Sequence, residues 1–576
     1  MKPVQDKSVM FEAFRTLRPT FKKVLLFSVF TNLMVLAPSW YMLEVYDRVI
    51  SSRNHTTLLM LTLLVIGIYL VMEVLEWVRA IMMQQAALAL DANVRDHLFN
   101  TAFSTRLRKQ IPVGVQPFND LKMVRDVLPS AGIFALIDAP FALMFLIIIF
   151  LMHPSLGLLA MLGAVVLVIL SVVNERRIHP PLKEANRHAM AAQSYADSVI
   201  KNAQVIKSMG MLADIHQRWI KRQHDFLVNQ ASASDGAAVN SALSKLVQTM
   251  QGSLILGFGC WLTLRGELNA GGAGMIVASI LAARVLSPLV QVIAYWRTLI
   301  GTKDAYNRLD KMLSDNLAAE ASMALPAPKG DVSVEALVAG PPNSNQQILR
   351  NVSFRIAAGE TLAIVGPSAS GKSTLARLLI GVWPAMSGKV RLDGADIYAW
   401  SKEELGAHVG YLPQDVELFD GSIAENIARF GVIDESQVDL ALQAVGMTDF
   451  VDTLPQGTLT QIGLDGSFLS GGQRQLIALA RAVYNQPKYI VLDEPNSSLD
   501  DAGDAALLHT LQRLKSAGST IIVITHRQQI LAAADKMLVL LDGQVRLFGP
   551  RDEVLKELKS TNMPTQTTSQ QSQKSS

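Results

Sequence analysis

Gly366-Pro367-Ser368-Ala369-Ser370-Gly371-Lys372-Ser373 has the residue types and spacing that hold a chain of phosphates. The apolar run Thr361-Leu362-Ala363-Ile364-Val365 before it reads as a buried strand, and Ser373-Thr374-Leu375-Ala376 after it opens a helix. That strand–loop–helix context is what the spacing needs. Backbone N–H groups of the loop and of the helix N-terminus surround phosphate oxygens. Lys372 reaches the outer phosphates, and the Ser373 hydroxyl binds Mg²⁺. Farther on, the apolar run ending Leu492-Asp493-Glu494-Pro495 sets Asp493 at a strand end, where it would hold Mg²⁺ through its water shell. The chemistry implied is binding and cleavage of ATP with Mg²⁺.

Between these two motifs lies Leu469-Ser470-Gly471-Gly472-Gln473, and His526 follows the apolar run Ile521-Ile522-Val523-Ile524-Thr525. With this ordered set the chain resembles the ATP-binding cassette (ABC) family. The resemblance implies a role for each matching residue. Glu494 polarises the attacking water, and His526 is the switch histidine that contacts the γ-phosphate. Gln414, in Tyr411-Leu412-Pro413-Gln414, senses the γ-phosphate and Mg²⁺. Asp500, in Ser498-Leu499-Asp500, belongs to a loop that crosses to a partner subunit. Ser470, Gly471, Gly472 and Gln473 open a helix, another anion site, and complete the ATP pocket of the opposite subunit. One cassette per chain then implies a homodimer. One departure is the segment Leu337-Val338-Ala339-Gly340-Pro341, which has no aromatic residue where relatives often stack one on adenine.

These motifs occupy only the second half of 576 residues, a length that calls for at least two domains. Half of the residues are hydrophobic, 18% are charged, and the net charge of +3 gives no reason to expect nucleic acid as partner. The apolar content is concentrated in stretches at about Val24–Leu43, Thr57–Val78, Ile133–Phe150, Leu156–Val173, Gly252–Leu264 and Ala273–Ala294, the fifth starting near Leu246. A bilayer crossing takes about 20 such residues. The fold expected is therefore an α-helical, six-span membrane domain followed by a P-loop α/β ATPase. Its parts are 1–320 membrane domain, 321–330 linker, 331–559 ATPase and 560–576 a disordered Ser/Thr/Gln-rich tail.

Basic residues fall on one side of these spans. Lys22, Lys23, Arg79, Arg95, Arg125, Arg176, Arg177 and Lys245 lie in segments on that side, whereas the opposite loops carry only Arg48, Arg53 and Arg265. This bias predicts that both ends and the ATPase are cytoplasmic, with the spans in a lipid bilayer. The long segments 79–130 and 174–248 read as helices that extend beyond the bilayer, the second interrupted at Pro180-Pro181. Their tips, near Gly114–Leu121 and Met209–Gln217, would touch the ATPase. The first span reads as uncleaved rather than as a signal peptide. The sole cysteine, Cys260, has no disulfide partner and reads as packing.

Finer resemblance comes from the membrane half. Leu43-Glu44-Val45-Tyr46-Asp47-Arg48-Val49-Ile50, Ile137-Asp138-Ala139-Pro140, Ser208-Met209-Gly210-Met211, Arg265-Gly266-Glu267-Leu268 and Ala278-Ser279-Ile280-Leu281 resemble type I secretion ATPases, nearest to exporters of proteases, lipases and haem-scavenging proteins. The resemblance implies an inner-membrane component that joins a periplasmic adaptor and an outer-membrane channel. Its cargo would be an unfolded protein with an uncleaved C-terminal signal. About 23 residues precede the first span, too few for a cargo-cutting peptidase. Two alternatives stay open: a lipid or drug exporter, and a membrane scaffold whose cassette only senses ATP. Arg284, a charge inside the last span, either lines the translocation path or snorkels to the cytoplasmic side.

Overall fold

The computed structural model describes residues 8–109, 115–268, 271–314, 325–342 and 344–560. Most of the expected linker and the tail after Ser560 lie outside these residues. Apart from Ser104–Pro112, the chain divides near residue 317 into a helical unit and an α/β unit.

In the helical unit, His55–Lys109, Pro154–Lys201 and Leu212–Leu264 are single helices of 55, 48 and 53 residues. At 1.5 Å per residue the first is about 80 Å long, far more than a hydrocarbon core of about 30 Å. The long excursions are thus continuous with the spans. Shorter helices, Arg18–Met34, Ala37–Glu44 and Ala131–Met152, and the 44-residue Gly271–Ser314 complete the apolar set. A π-helical turn, Val45–Val49, lies inside the Leu43–Ile50 stretch.

Three details emerge that the sequence did not show. First, five helices reach the length and composition of a membrane crossing among the described residues. The fifth expected span is the end of Leu212–Leu264, where Gln248, Thr249 and Gln251 dilute the apolar run. Gln251 is buried there, its Nε2 donating to Ala160 O at 3.1 Å. It packs against Gly163, where an added Cβ would fall 1.5 Å from the Gln251 Oε1. Second, Pro180 and Pro181 do not interrupt the helix Pro154–Lys201. Ile178 and Leu182 on either side of them are buried with Ala233 of the next long helix, and this packing carries the axis through the bonds the prolines cannot make.

Third, Arg79 is no loop charge. It is 7% exposed, and its guanidinium donates to both Asp138 oxygens, at 3.0 and 3.2 Å. It also donates to Ser28 Oγ at 2.9 Å, while Asn32 donates to Asp138 at 3.1 Å. One buried network therefore joins three helices. A second fork, Arg308 to Asp120 at 2.9 and 2.7 Å, ties the helix Gln116–Val127 to Gly271–Ser314.

Among the described residues the α/β unit has ten strands: β1 (Val332–Ala339), β2 (Leu349–Ile356), β3 (Thr361–Val365), β4 (Ser387–Leu392), β5 (Ala395–Asp396), β6 (Val409–Leu412), β7 (Tyr489–Asp493), β8 (Thr520–Ile524), β9 (Lys536–Leu541) and β10 (Gln544–Pro550). They form an antiparallel sheet, β2-β1-β4-β5, and a larger one, β10-β9-β3-β8-β7-β6. Within the larger sheet β9, β3, β8, β7 and β6 are parallel. Strands β7 and β8 are buried throughout, as their unbroken apolar runs require of strands covered on both faces. Alternate residues enter two separate cores, Ile490 and Leu492 on one face of the sheet and Tyr489 and Val491 on the other. The parallel order matters for function because it brings the carboxyl ends of β3, β8, β7 and β6 side by side. Ligands of open α/β sheets bind outside such ends.

Candidate ATP site

Each of those four strand ends delivers one part of the site. After β3 the chain turns through Gly366–Gly371 into the helix Lys372–Leu379. Gly366 must be glycine because a Cβ there would lie 2.2 Å from Leu540 O. Gly371 caps the helix with φ +100°, a region closed to side chains. Ala369 adopts φ +64° and so bears a Cβ in a left-handed position better suited to glycine. Lys372 Nζ donates to Gly366 O and Pro367 O, both at 2.8 Å, which folds its ammonium over the loop. Burial pushes the Lys372 pKa down, against the pull of Glu494 and Asp493. Within the same loop, Ser370 is buried and its hydroxyl has no hydrogen-bond partner among the described residues. Thr374 is buried at the helix start, and Pro367 and Ser368 face solvent.

From β6 comes Gln414 and from β7 come Asp493 and Glu494. Ser373 Oγ donates to Gln414 Oε1 at 3.4 Å, and Gln414 Nε2 donates to Glu494 Oε2 at 3.2 Å. A polar chain thus runs from the P-loop helix to the candidate base. Asp493 is 2% exposed, and its Oδ1 has no hydrogen-bond partner among the described residues. Burial raises its pKa, with a Ser373 hydrogen bond opposing. Burial, with Asp493 close by, also pushes the Tyr411 phenol up to about 12. Glu494 itself holds φ +49°, a conformation that costs energy in a non-glycine residue and clusters at functional sites. Its N–H is tied to Ile524 O of β8 at 2.9 Å, which fixes the turn.

His526 follows β8. Its pKa is lowered by partial desolvation first and by Lys372 second, with Glu494 opposing, so all three groups share one field. Sequence reasoning missed the residues that brace this end. Thr525 Oγ1 donates to Asn496 Oδ1 at 3.2 Å and accepts from the Arg527 N–H at 3.2 Å. Asn496 carries no motif signal beyond its place after Glu494-Pro495.

The oxygen donors fit a hard cation that takes few protein ligands. Ser373 Oγ, Gln414 Oε1 and the unpaired Asp493 Oδ1 belong to adjoining residues of one linked set, although no group of three or more His, Cys, Asp or Glu side chains gathers among the described residues. Mg²⁺ keeps several waters and takes few protein ligands beside phosphate oxygens, and this set suits it.

Ser470, Gly471, Gly472, Gln473 and Asp500 are placed otherwise. Ser470 caps the helix Gly471–Val483: its Oγ accepts from the Gln473 N–H at 3.2 Å, while its own N–H donates to Gln473 Oε1 at 2.9 Å. A Cβ on Gly472 would meet Ser498 O at 3.1 Å, so the signature glycine packs on the Ser498–Asp500 loop. Asp500 caps the helix Asp501–Ser516, accepting from the Gly503 N–H at 2.8 Å. Among the described residues no hydrogen bond joins this group to the P-loop of the same chain. Gln475, also missed in the sequence, is buried and donates to Pro495 O at 2.9 Å, which pins the signature helix to the turn after Glu494.

Comparison with known proteins agrees with this layout. The family model for the ABC transporter matches residues 349–497, and that for the ABC transporter transmembrane region matches 23–285. The type I secretion system ATP-binding protein PrsD of Rhizobium meliloti (strain 1021) is 38% identical over 545 residues, covering 94% of this chain and 93% of that protein. The leukotoxin translocation ATP-binding protein LktB of Mannheimia haemolytica is 26% identical over 544 residues, 93% of this chain and 76% of that one. Among solved structures, a bacterial Atm1-family ABC exporter with ATP bound superposes with a TM-score of 0.82 at 22% identity, covering 96% of this chain and 99% of that one. That likeness concerns the fold.

Proposed function

Since the chain belongs to the ABC transporter family, among the type I secretion ATP-binding proteins, we propose that it exports polypeptides across the membrane at the expense of ATP hydrolysis. The observation that carries the ATPase half is the linked set at the strand ends, Ser373–Gln414–Glu494 beside a buried Asp493 whose Oδ1 has no hydrogen-bond partner among the described residues. The cargo half rests on PrsD, named for type I secretion, which aligns through both units.

In this reading Lys372 and the P-loop N–H groups bind the β- and γ-phosphates. Ser373, Gln414 and Asp493 hold Mg²⁺ directly or through water, and the ion supplies charge neutralisation on the phosphates. Glu494 accepts a proton from the attacking water, and Gln414 orients Glu494 through its amide. His526 contacts the γ-phosphate through its imidazole. Ser470–Gln473 and Asp500, which make no hydrogen bond to their own P-loop among the described residues, act on the ATP of a second copy, so the working unit is a homodimer.

The protein is membrane-embedded, and the basic bias of its loops supports an inner-membrane position with termini and ATPase in the cytoplasm. The end of Leu212–Leu264 then serves as a sixth span, with Gln251 Nε2 donating to a neighbouring helix and the Thr249, Ser253 and Thr263 hydroxyls donating to carbonyls of their own helix. A periplasmic adaptor and an outer-membrane channel complete the route, and the cargo is an unfolded protein recognised at its C-terminus. Co-expression with an adaptor and a channel tests this. A full-length protein should appear in the medium, dependent on its last segment. A periplasmic intermediate, or an ATPase stimulated only by lipophilic compounds, would sink it.

A further inference from the structure

The ATP site is furnished unequally along the nucleotide. Gln414, Glu494 and His526, which mark its γ-phosphate end, follow β6, β7 and β8, all on one side of β3. The nucleoside therefore leaves the P-loop on the other side, where β9 and β10 lie. Their turn at Gly543 is so near Ile348 that a Cβ there would fall 1.9 Å from Ile348 O. Ile348 in turn borders the P-loop, since a Cβ on Gly371 would fall 3.1 Å from Ile348 Cγ2. Close by, Pro341 and Pro342 are half-buried, and the exposed Met386 puts its Cε 3.3 Å from where a Cβ on Gly340 would stand. These side chains make a small aliphatic seat. Residues 337–350 include no aromatic, so the seat supports one face of a base and leaves the other open.

An unoccupied ring stands elsewhere on the same unit. Phe468 is 78% exposed, more than any other aromatic side chain among the described residues. It lies in the ATPase unit, outside the apolar helices. Phe419 and Phe430, also exposed, meet each other at 5.9 Å, whereas Phe468 has no ring partner among the described residues. Its loop is built to hold it outward. Gly463, Asp465 and Gly466 all take positive φ, which tightens the turn. Gly463 also makes room for the ring, because a Cβ there would fall 2.9 Å from Phe468 Cε2. The Leu469 N–H then donates to Gly466 O at 3.0 Å and fixes the exit toward Ser470. Ser470 caps a helix N-terminus suited to phosphate, and Phe468 precedes it by two residues, about 7 Å of extended chain.

We propose that Phe468 of one copy closes over the base of the ATP bound to the other, so that the aliphatic seat and the phenyl ring clasp the nucleobase from opposite faces; this rests on the ATPase and homodimer readings above. A base presents a π face to the phenyl ring, and the proline rings and the Met386 thioether suit its other face. Neither side reads the hydrogen-bonding edge of the base. A lone chain holds ATP by its phosphates, and the base is clasped only when two chains meet, which ties tight binding to closure of the dimer.

In the full-length protein Phe468→Ala should raise KM for ATP about tenfold with kcat nearly unchanged, and Phe468→Trp should restore it. Inorganic tripolyphosphate, which has phosphates but no base, should inhibit the parent and Phe468→Ala alike. An unchanged KM for ATP would overturn the proposal. Equal weakening of ATP and tripolyphosphate would overturn it too, since Phe468 would then act on the phosphates or on assembly. 8-Azido-ATP, reactive at the base, tests the contact between copies in mixed dimers of differently tagged chains. With Lys372→Ala on one chain and Phe468→Ala on the other, the usable P-loop faces an intact Phe468, and light should label the Lys372→Ala chain. With both changes on one chain, label on that chain should fall several-fold. Label confined to the chain with the usable P-loop in both arrangements would refute the clasp. If the parent hydrolyses no ATP, the ATPase reading falls instead. If mixed dimers of Lys372→Ala and Ser470→Arg show no sharing of sites, the homodimer reading falls. Shared sites with an indifferent Phe468 sink this proposal alone.

Discussion

Asp138→Ala should be among the most damaging single changes in the membrane unit, although Asp138 lies outside the ATPase unit. The carboxylate accepts three hydrogen bonds, two from Arg79 and one from Asn32. Among the described residues, removing it leaves the Arg79 guanidinium, 7% exposed, with Ser28 Oγ at 2.9 Å and the Phe134 ring at 4.7 Å. Breaking a buried pair in this way costs about 3–5 kcal/mol. The remaining cation–π contact and hydroxyl soften the loss, which places the expected value near about 3 kcal/mol. Arg79→Lys should lose much of the same stabilisation, because an ammonium cannot make the forked contact. Arg79→Met with Asp138→Leu should recover to within about 1 kcal/mol of the parent, since no orphaned charge remains. Unfolding in mixed detergent micelles, run as a double-mutant cycle, measures each term. A loss below about 1 kcal/mol for Asp138→Ala, the worth of an exposed pair, would refute the reasoning.

Other outcomes follow from the ATP site. Ala369→Gly should stabilise the ATPase unit or leave it unchanged, while Ala369→Val, β-branched at φ +64°, should cost about 1–2 kcal/mol and weaken ATP binding; equal melting temperatures for the two variants would contradict this. His526 should titrate below its ordinary value of about 6.5. Because the folded-state pKa is depressed, the unfolded chain binds the proton more readily, so this group's contribution favours folding above about pH 6.5 and is lost as pH falls through the folded pKa. Selective histidine NMR checks the midpoint, and a value above the ordinary one would overturn the assignment of desolvation and Lys372 as its causes. Ser470→Ala removes a capping box and should cost about 1 kcal/mol. Mixed dimers separate that local effect from site sharing. Lys372→Ala on one chain with Ser470→Arg on the other should keep one usable site, whereas both changes on one chain should damage two. Identical activity in the two arrangements would rule out sharing.

Legibility in the sequence tracked the locality of the signal. Residues 361–366, 489–493 and 520–525 read as buried parallel strands because covered strands leave unbroken apolar runs, and the strands Thr361–Val365, Tyr489–Asp493 and Thr520–Ile524 fall within one residue of them. The P-loop, Asp493, Glu494 and His526 were readable because each ends such a run, and the sheet order then brings those ends together. The misreadings arise where a residue's environment comes from distant chain. Arg79 looked like a loop charge because its partners lie 51 and 59 residues away. Pro180-Pro181 looked like a break because the packing that carries the helix through it comes from Ala233. Gln251 is a buried side chain packed on Gly163 of another helix, so its segment falls short on composition. Gln475 and Asn496 were invisible because buried polar bracing leaves no periodic pattern.

The central claim is that Glu494 drives hydrolysis that powers polypeptide export, and Glu494→Gln tests it most directly. The amide can still accept from Gln414 but cannot take a proton from water, so hydrolysis should fall about 10²–10⁴-fold while ATP binding persists. Measured in one preparation, with adaptor and channel present, ATP should remain bound, phosphate release should nearly stop, and export should stop with it. Hydrolysis within a few-fold of the parent, or export that continues while hydrolysis is lost, would contradict the account.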